Sequence, residues 1–115
     1  MTFEYAPAPE SRSIVSIKPK YGHFIDGKFV NGRNHFATIN PATEEVLSQI
    51  ALGNASDVDK AVIAAQKAYT KTWSKLSGKE RGKYLYRIAR ILQERAREFA
   101  VLETLDNGTP IRETR

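Results

Sequence analysis

Downstream of Asp57 apolar residues recur every three or four positions, whereas upstream they come in short runs broken by Gly, Asn and Pro. The first pattern is that of helices with one apolar face, and the second that of short strands joined by turns. Val58, Ala61, Val62, Ala65 and Tyr69 make one stripe, opened by Ser56-Asp57-Val58-Asp59, a capping-box variant with Asp59 where Glu is usual. This spacing predicts a helix from about Asp57 to the low seventies. Ser77-Gly78-Lys79-Glu80 is a second capping box, followed by Leu85, Ile88, Ala89, Leu92, Ala96 and Phe99. Run on to Gly108, this helix would reach about thirty residues, long for a globular domain, so a bend or restart is expected between Arg95 and Glu98. Gly108, just before Pro110, is the expected left-handed cap. In the first half, Asp26-Gly27 between Phe24-Ile25 and Phe29-Val30 signals a hairpin. Asn31-Gly32 marks a second turn, 36–39 a short strand, Asn40-Pro41 a break, and 46–51 another strand.

Residues 1–20 read as a flexible arm, because Ala6-Pro7-Ala8-Pro9 favours extended geometry and no periodic apolar face follows. Two amphipathic helices beside thin β ribbons need a broad apolar surface such as a sheet. A chain of 115 residues would bury only about two-thirds of its extended surface on its own. The expectation is therefore one layer of a larger α/β arrangement.

Composition excludes several function classes. With 41% apolar and 27% charged residues, the chain has a globular rather than a disordered balance. It holds no long uninterrupted apolar run of the kind a membrane span needs. Glu4, Glu10 and three prolines within residues 1–20 fit neither a secretory signal nor an arginine-rich transit peptide, which gives a cytoplasmic expectation. The absence of cysteine removes disulfides, thiolate metal sites and a cysteine nucleophile. His23 and His35 have no carboxylate at metal or triad spacing, and are expected to be solvated turn residues.

The net charge of +5 is concentrated in 77–97, where Lys79, Arg81, Lys83, Arg87, Arg90, Arg95 and Arg97 face only Glu80 and Glu94. Such a helix could follow a phosphate backbone, with Tyr84 and Tyr86 as stacking partners, and a small basic module binding nucleic acid or an acidic partner is the alternative reading. Against it, the arginines stand at distances suited to ion pairs with Glu80, Glu94 and Glu98, and Tyr84 and Trp73 read as packing residues. No glycine-rich phosphate loop, nucleophile elbow or His-Glu-x-x-His motif is present.

One local rule is broken. In Leu102-Glu103-Thr104-Leu105-Asp106-Asn107-Gly108 a carboxylate falls in the last helical turn, where the macrodipole favours a cation. Such breaks concentrate where a site uses the charge, although a plain polar exit turn gives the same letters.

In order along the chain stand Phe24-Ile25-Asp26-Gly27-Lys28-Phe29-Val30, Asn40-Pro41-Ala42-Thr43, and Ser56-Asp57-Val58-Asp59-Lys60-Ala61-Val62. Trp73, Leu76-Ser77, Glu80-Arg81 and the run from Leu102 to Gly108 complete the series. In this order the chain, from about Tyr21 onward, resembles the N-terminal portion of the aldehyde dehydrogenase superfamily. The resemblance implies that residues 21–115 are the incomplete start of a Rossmann-like NAD(P)-binding domain, a β ribbon plus amphipathic helices that pack on the nucleotide-binding sheet. It implies oxidation of an aldehyde to a carboxylic acid by an intact enzyme that uses NAD or NADP and is a homo-oligomer when full length. It also implies a structural potassium or sodium ion held by the backbone carbonyls of Thr38 and Ile39 and the side chain of Asp106. The family's cysteine nucleophile, its glutamate base and its main cofactor-contacting segments come from later sequence, so this segment is expected to be inactive alone. Thr109 departs from the family pattern, in which many members have lysine.

Overall fold

A computed structural model describes residues 11–114, arranged as five short strands followed by four helices. The strands are β1 (Lys20–Tyr21), β2 (His23–Ile25), β3 (Lys28–Val30), β4 (Asn34–Ile39) and β5 (Val46–Leu52). The helices are α1 (Ala55–Lys71), α2 (Gly78–Glu94), α3 (Ala96–Asn107) and α4 (Ile111–Thr114), with single 3₁₀ turns at Arg12–Ile14 and Trp73–Lys75.

β2 and β3 form the expected hairpin, with His23 opposite Val30 and Ile25 opposite Lys28. Asp26 and Gly27 both take positive φ, 53° and 76°, the turn whose twist matches that of the flanking strands. β4 and β5 pair antiparallel, and β1 adds to the far side of β5 in parallel, giving the order β1-β5-β4. The link between β4 and β5 is tied by its own polar groups. Asn40 is buried, its side-chain carbonyl accepts from the Ala42 N–H at 2.9 Å, and its backbone N–H donates to the Glu45 carbonyl at 2.9 Å.

Residues 11–20 have a structural role that the absence of apolar periodicity did not reveal. Lys20 pairs with Gln49, the Pro19 carbonyl accepts from the Gln49 N–H at 2.9 Å, and the buried Ser48 hydroxyl donates to the Lys18 carbonyl at 2.7 Å. Backbone pairing needs no apolar face, and these bonds strap the segment to β5. The part of the arm that falls on residues 1–10 lies outside the described residues.

The first helix starts two residues earlier than its sequence signal. Asn54, in extended conformation, caps it through a reciprocal pair of bonds with Asp57, so the box is Asn54…Asp57 and not Ser56…Asp59. The second box is as expected. Ser77 accepts from the Glu80 N–H, and the Glu80 carboxylate accepts from both the backbone N–H and the hydroxyl of Ser77, which holds it below the usual carboxylate range. The break also falls where spacing places it: α2 ends at Glu94, Arg95 leaves helical geometry, and α3 begins at Ala96. Gly108 closes α3 with φ 78°, its N–H donating to the Thr104 carbonyl.

The packed part of the molecule is small. Among the described residues the buried apolar ones are Ala51, Ala100 and Val101, while Leu85, Ile88 and Leu92 of α2 and Val58 and Val62 of α1 are exposed. Tyr84, expected in the core, is 56% exposed and rests against Trp73 with ring centroids 5.9 Å apart. The radius of gyration is 18.7 Å with principal extents of 67, 38 and 18 Å, against about 13 Å for a compact domain of this length. Both helical stripes thus form where periodicity puts them, with their apolar faces uncovered. No described helix is long and apolar enough to cross a membrane.

Candidate functional site

The Asn40-Pro41 turn and the end of α3 touch. A Cβ added to Gly108 would lie 2.9 Å from Cγ of Pro41, so the helix terminus is seated directly on the turn that follows β4. Between α3, the β sheet and the 11–20 strap lies a cavity of about 530 Å³. Phe99, Leu102, Glu103 and Asp106 line it from α3, Thr38 and Ser48 from the paired strands, and Val15, Ile17 and Tyr21 from the strap side.

Two of the three residues named from sequence therefore meet at one cavity. Asp106 stands at its helical wall, exposed, in a last turn that contains no basic residue. Thr38 stands on the sheet wall, where its hydroxyl donates to the Ser48 carbonyl at 3.4 Å. Ile39 does not line the cavity and its side chain is half exposed, but the role expected of it is that of its carbonyl. The register of β4 on β5 slips between Thr38 and Ile39, with Thr38 opposite Ser48 and Ile39 opposite Val46. A slip of this kind interrupts the regular ladder and re-aims the backbone groups beside it. Glu103 and Ser48 are further oxygen-bearing residues of the same cavity. Helical spacing could have found Glu103, three residues before Asp106. Ser48 gives no such signal, because only the strand register brings it opposite Thr38.

Oxygen is the donor type of this set: a carboxylate at Asp106, hydroxyls at Thr38 and Ser48, and main-chain carbonyls at an irregular strand end. It suits a hard cation rather than a thiophilic metal. Among the described residues no cluster of three or more His, Cys, Asp or Glu side chains is arranged to hold a metal ion, so a cation here would depend on carbonyls. A dinucleotide fits poorly. The cavity is walled mainly by apolar side chains, and its two carboxylates, Glu103 and Asp106, would repel a pyrophosphate.

The basic helix has several of its cations engaged. Arg81 donates to the Leu76 carbonyl at 2.6 Å, Arg90 to the Gln93 side chain at 3.5 Å, and Arg95 grips both carboxylate oxygens of Glu98. That pairing holds the Glu98 carboxyl below its ordinary range. Neither histidine is the solvated turn residue expected from sequence. His23 lies in β2 and His35 in β4, and the Nε2 atom of each is buried.

Comparison with known proteins gives one answer. The model of the aldehyde dehydrogenase family matches residues 29–115. The 5-carboxymethyl-2-hydroxymuconate semialdehyde dehydrogenase of Escherichia coli is 40% identical over 96 residues, covering 84% of this chain and 20% of that protein. Among solved structures, an NAD-dependent aldehyde dehydrogenase from Sinorhizobium meliloti superposes with a TM-score of 0.80 at 32% identity, over 96% of this chain and 22% of its own. The NAD+ complex of an aldehyde dehydrogenase from Bacillus cereus superposes with a TM-score of 0.77 at 38% identity, over 81% and 20%. The chain thus spans about a fifth of the length of these relatives.

Proposed function

Because this chain belongs to the aldehyde dehydrogenase family, we propose that it is the N-terminal part of an enzyme that oxidises an aldehyde to a carboxylic acid with NAD or NADP. The family match over residues 29–115 carries this reading. The 115 residues are scaffold. With no cysteine they lack the thiolate nucleophile of the chemistry, and the cavity at the end of α3 is unsuited to a pyrophosphate. What supports a scaffold role is the uncovered apolar face of α2, which needs a broad partner layer. The intact enzyme supplies the remaining elements and assembles as a homo-oligomer.

The test compares two polypeptides with NAD, NADP and a panel of simple aldehydes. The 115-residue chain should give no NAD(P)H absorbance above the blank, and the same chain extended to its relatives' length should turn over. Activity in the short chain, or inactivity of the extended one with all substrates, overturns the proposal.

The second part of the proposal concerns the cation. A potassium or sodium ion held by the Thr38 and Ile39 carbonyls and the Asp106 carboxylate would supply the positive charge that the C-terminus of α3 favours. It would tie the strand end at the β4 slip to the last turn of α3, a fixed cross-brace with no part in the chemistry. Thermal stability of the extended enzyme should therefore rise when choline is replaced by potassium or sodium at constant ionic strength. Asp106→Ala should abolish that response, and a response unchanged in the variant would remove the site.

A further inference from the structure

The β2–β3 hairpin is a sheet of its own, with no ladder to β1-β5-β4, and two strands alone are marginal in water. Side chains must dock it. Burial alternates along β2, so that His23 and Ile25 share the inward face while Phe24 is 66% exposed. That face meets α1 unevenly. Beneath the tip, between residues 24–27 and Ala61, Ala64, Ala65 and Ala68, a gap of about 450 Å³ remains. At the base, by contrast, His23 Nε2 lies 3.4 Å from Oδ2 of Asp57, with the two side chains 16% and 19% exposed. The buried Nε2 makes no hydrogen bond among the described residues, so this carboxylate is the polar partner the structure offers it. A Cβ on Gly32 would stand 3.2 Å from Nε2 and 2.8 Å from Cβ of Ala51, and one on Gly53 would stand 3.6 Å from Cε1. The ring thus fills a notch between the exit of the hairpin and the link from β5 to α1.

The carboxylate that meets His23 is already in use. Oδ2 of Asp57 accepts from the Asn54 N–H at 3.2 Å, while the Asp57 N–H donates to the Asn54 side chain at 3.0 Å, and this reciprocal pair starts α1. One oxygen therefore serves both the hairpin and the helix. We propose that His23 and Asp57 form a clasp that makes hairpin docking and the first turn of α1 a single cooperative unit. With the cap closed, the Asp57 side chain is held at the backbone and stands ready for the imidazole. With the cap open, that side chain regains its rotamers and the imidazole loses its partner. Coupling of this kind is reciprocal, so releasing the hairpin loosens the cap to the same degree as losing the cap releases the hairpin. Anything that seats on the hairpin acts on α1 through the same oxygen.

The test uses the 115-residue chain with native-state amide exchange read by NMR at neutral pH. The reporters are Val30, paired with His23 across the hairpin, and Val58, whose N–H donates to the Asn54 carbonyl in the first turn of α1. His23→Ala, made in the hairpin, should speed exchange at Val58 about fivefold, the equivalent of losing one helix cap. Asn54→Ala, made at the cap, should speed exchange at Val30 by a similar factor, and the double variant should add little at either reporter. His23→Gln, which keeps an N–H in reach of Asp57, should leave Val58 within about twofold of the parent. Ala100 and Val101 in α3 should keep their rates in every variant. Should His23→Ala leave no protected hairpin, Val58 in that variant and Val30 in Asn54→Ala still decide the matter. An effect confined to the mutated element, a fully additive double variant, a loss shared by α3, or a His23→Gln variant as loose as His23→Ala overturns the clasp. A parent chain in which either reporter is unprotected overturns it as well.

Discussion

Gly108→Val should cost about 2 to 5 kcal/mol of unfolding free energy, the sum of about 1 to 2 for a side chain in the left-handed region and about 1 to 3 for overpacking. Gly108 holds φ 78° and its absent Cβ faces Pro41 Cγ at 2.9 Å, so a β-branched side chain meets both penalties at once. The proline ring cannot swing away as the tip of a long side chain would. Gly27 separates the two penalties. Its φ is 76° with nothing within 4 Å of the position a Cβ would take, so Gly27→Val carries the conformational cost alone. Urea unfolding of the two variants beside the parent measures the difference, and Pro41→Ala should restore part of the loss in Gly108→Val and none in Gly27→Val. Equal losses in the two glycine variants would show that the contact between the β4–β5 turn and α3 contributes nothing.

Gly22→Ala should be as damaging, for a reason that involves no unusual dihedral. The added Cβ would stand 2.4 Å from the Val30 carbonyl oxygen and 3.0 Å from its carbon, and these are backbone atoms of the facing hairpin strand. Relief requires that β2 and β3 part at their open end. The expected cost is about 3 kcal/mol, the upper end for overpacking, or roughly a hundredfold faster amide exchange at His23 and Val30. Native-state exchange localises the effect: α3 should be unaffected, and a fall spread evenly over the chain, or none, would contradict the geometry.

Sequence legibility followed the range of the interaction. The β2–β3 hairpin, the Ser77–Glu80 cap, the break at Arg95 and the Gly108 cap are each decided within about one helical turn or one tight turn, and each lies where its residues put it. The Asn54 cap was missed because Asn54…Asp57 and Ser56…Asp59 offer the same chemistry two residues apart, and only the extended backbone of Asn54 decides between them. His23 was misread for the opposite reason, since its carboxylate partner is 34 positions away at Asp57. The strap hid in the same way: Lys18 and Pro19 act through carbonyls, which leave no mark on an apolar pattern. Of the residues proposed for a cation, Asp106 could be suspected from dipole arithmetic alone. The register slip at Thr38 and Ile39 has no local signature, and only the family resemblance pointed to that strand end.

The position of β1 dictates an order of events during synthesis. Its sheet neighbour is β5, so although it leaves the ribosome ahead of β5 it has nothing to dock on until β5 has emerged and folded back on β4. β1 must therefore wait, undocked, for some thirty more residues. A stall in translation between β1 and β5 would prolong that wait, and the strap is the element a nascent-chain binding factor would find free.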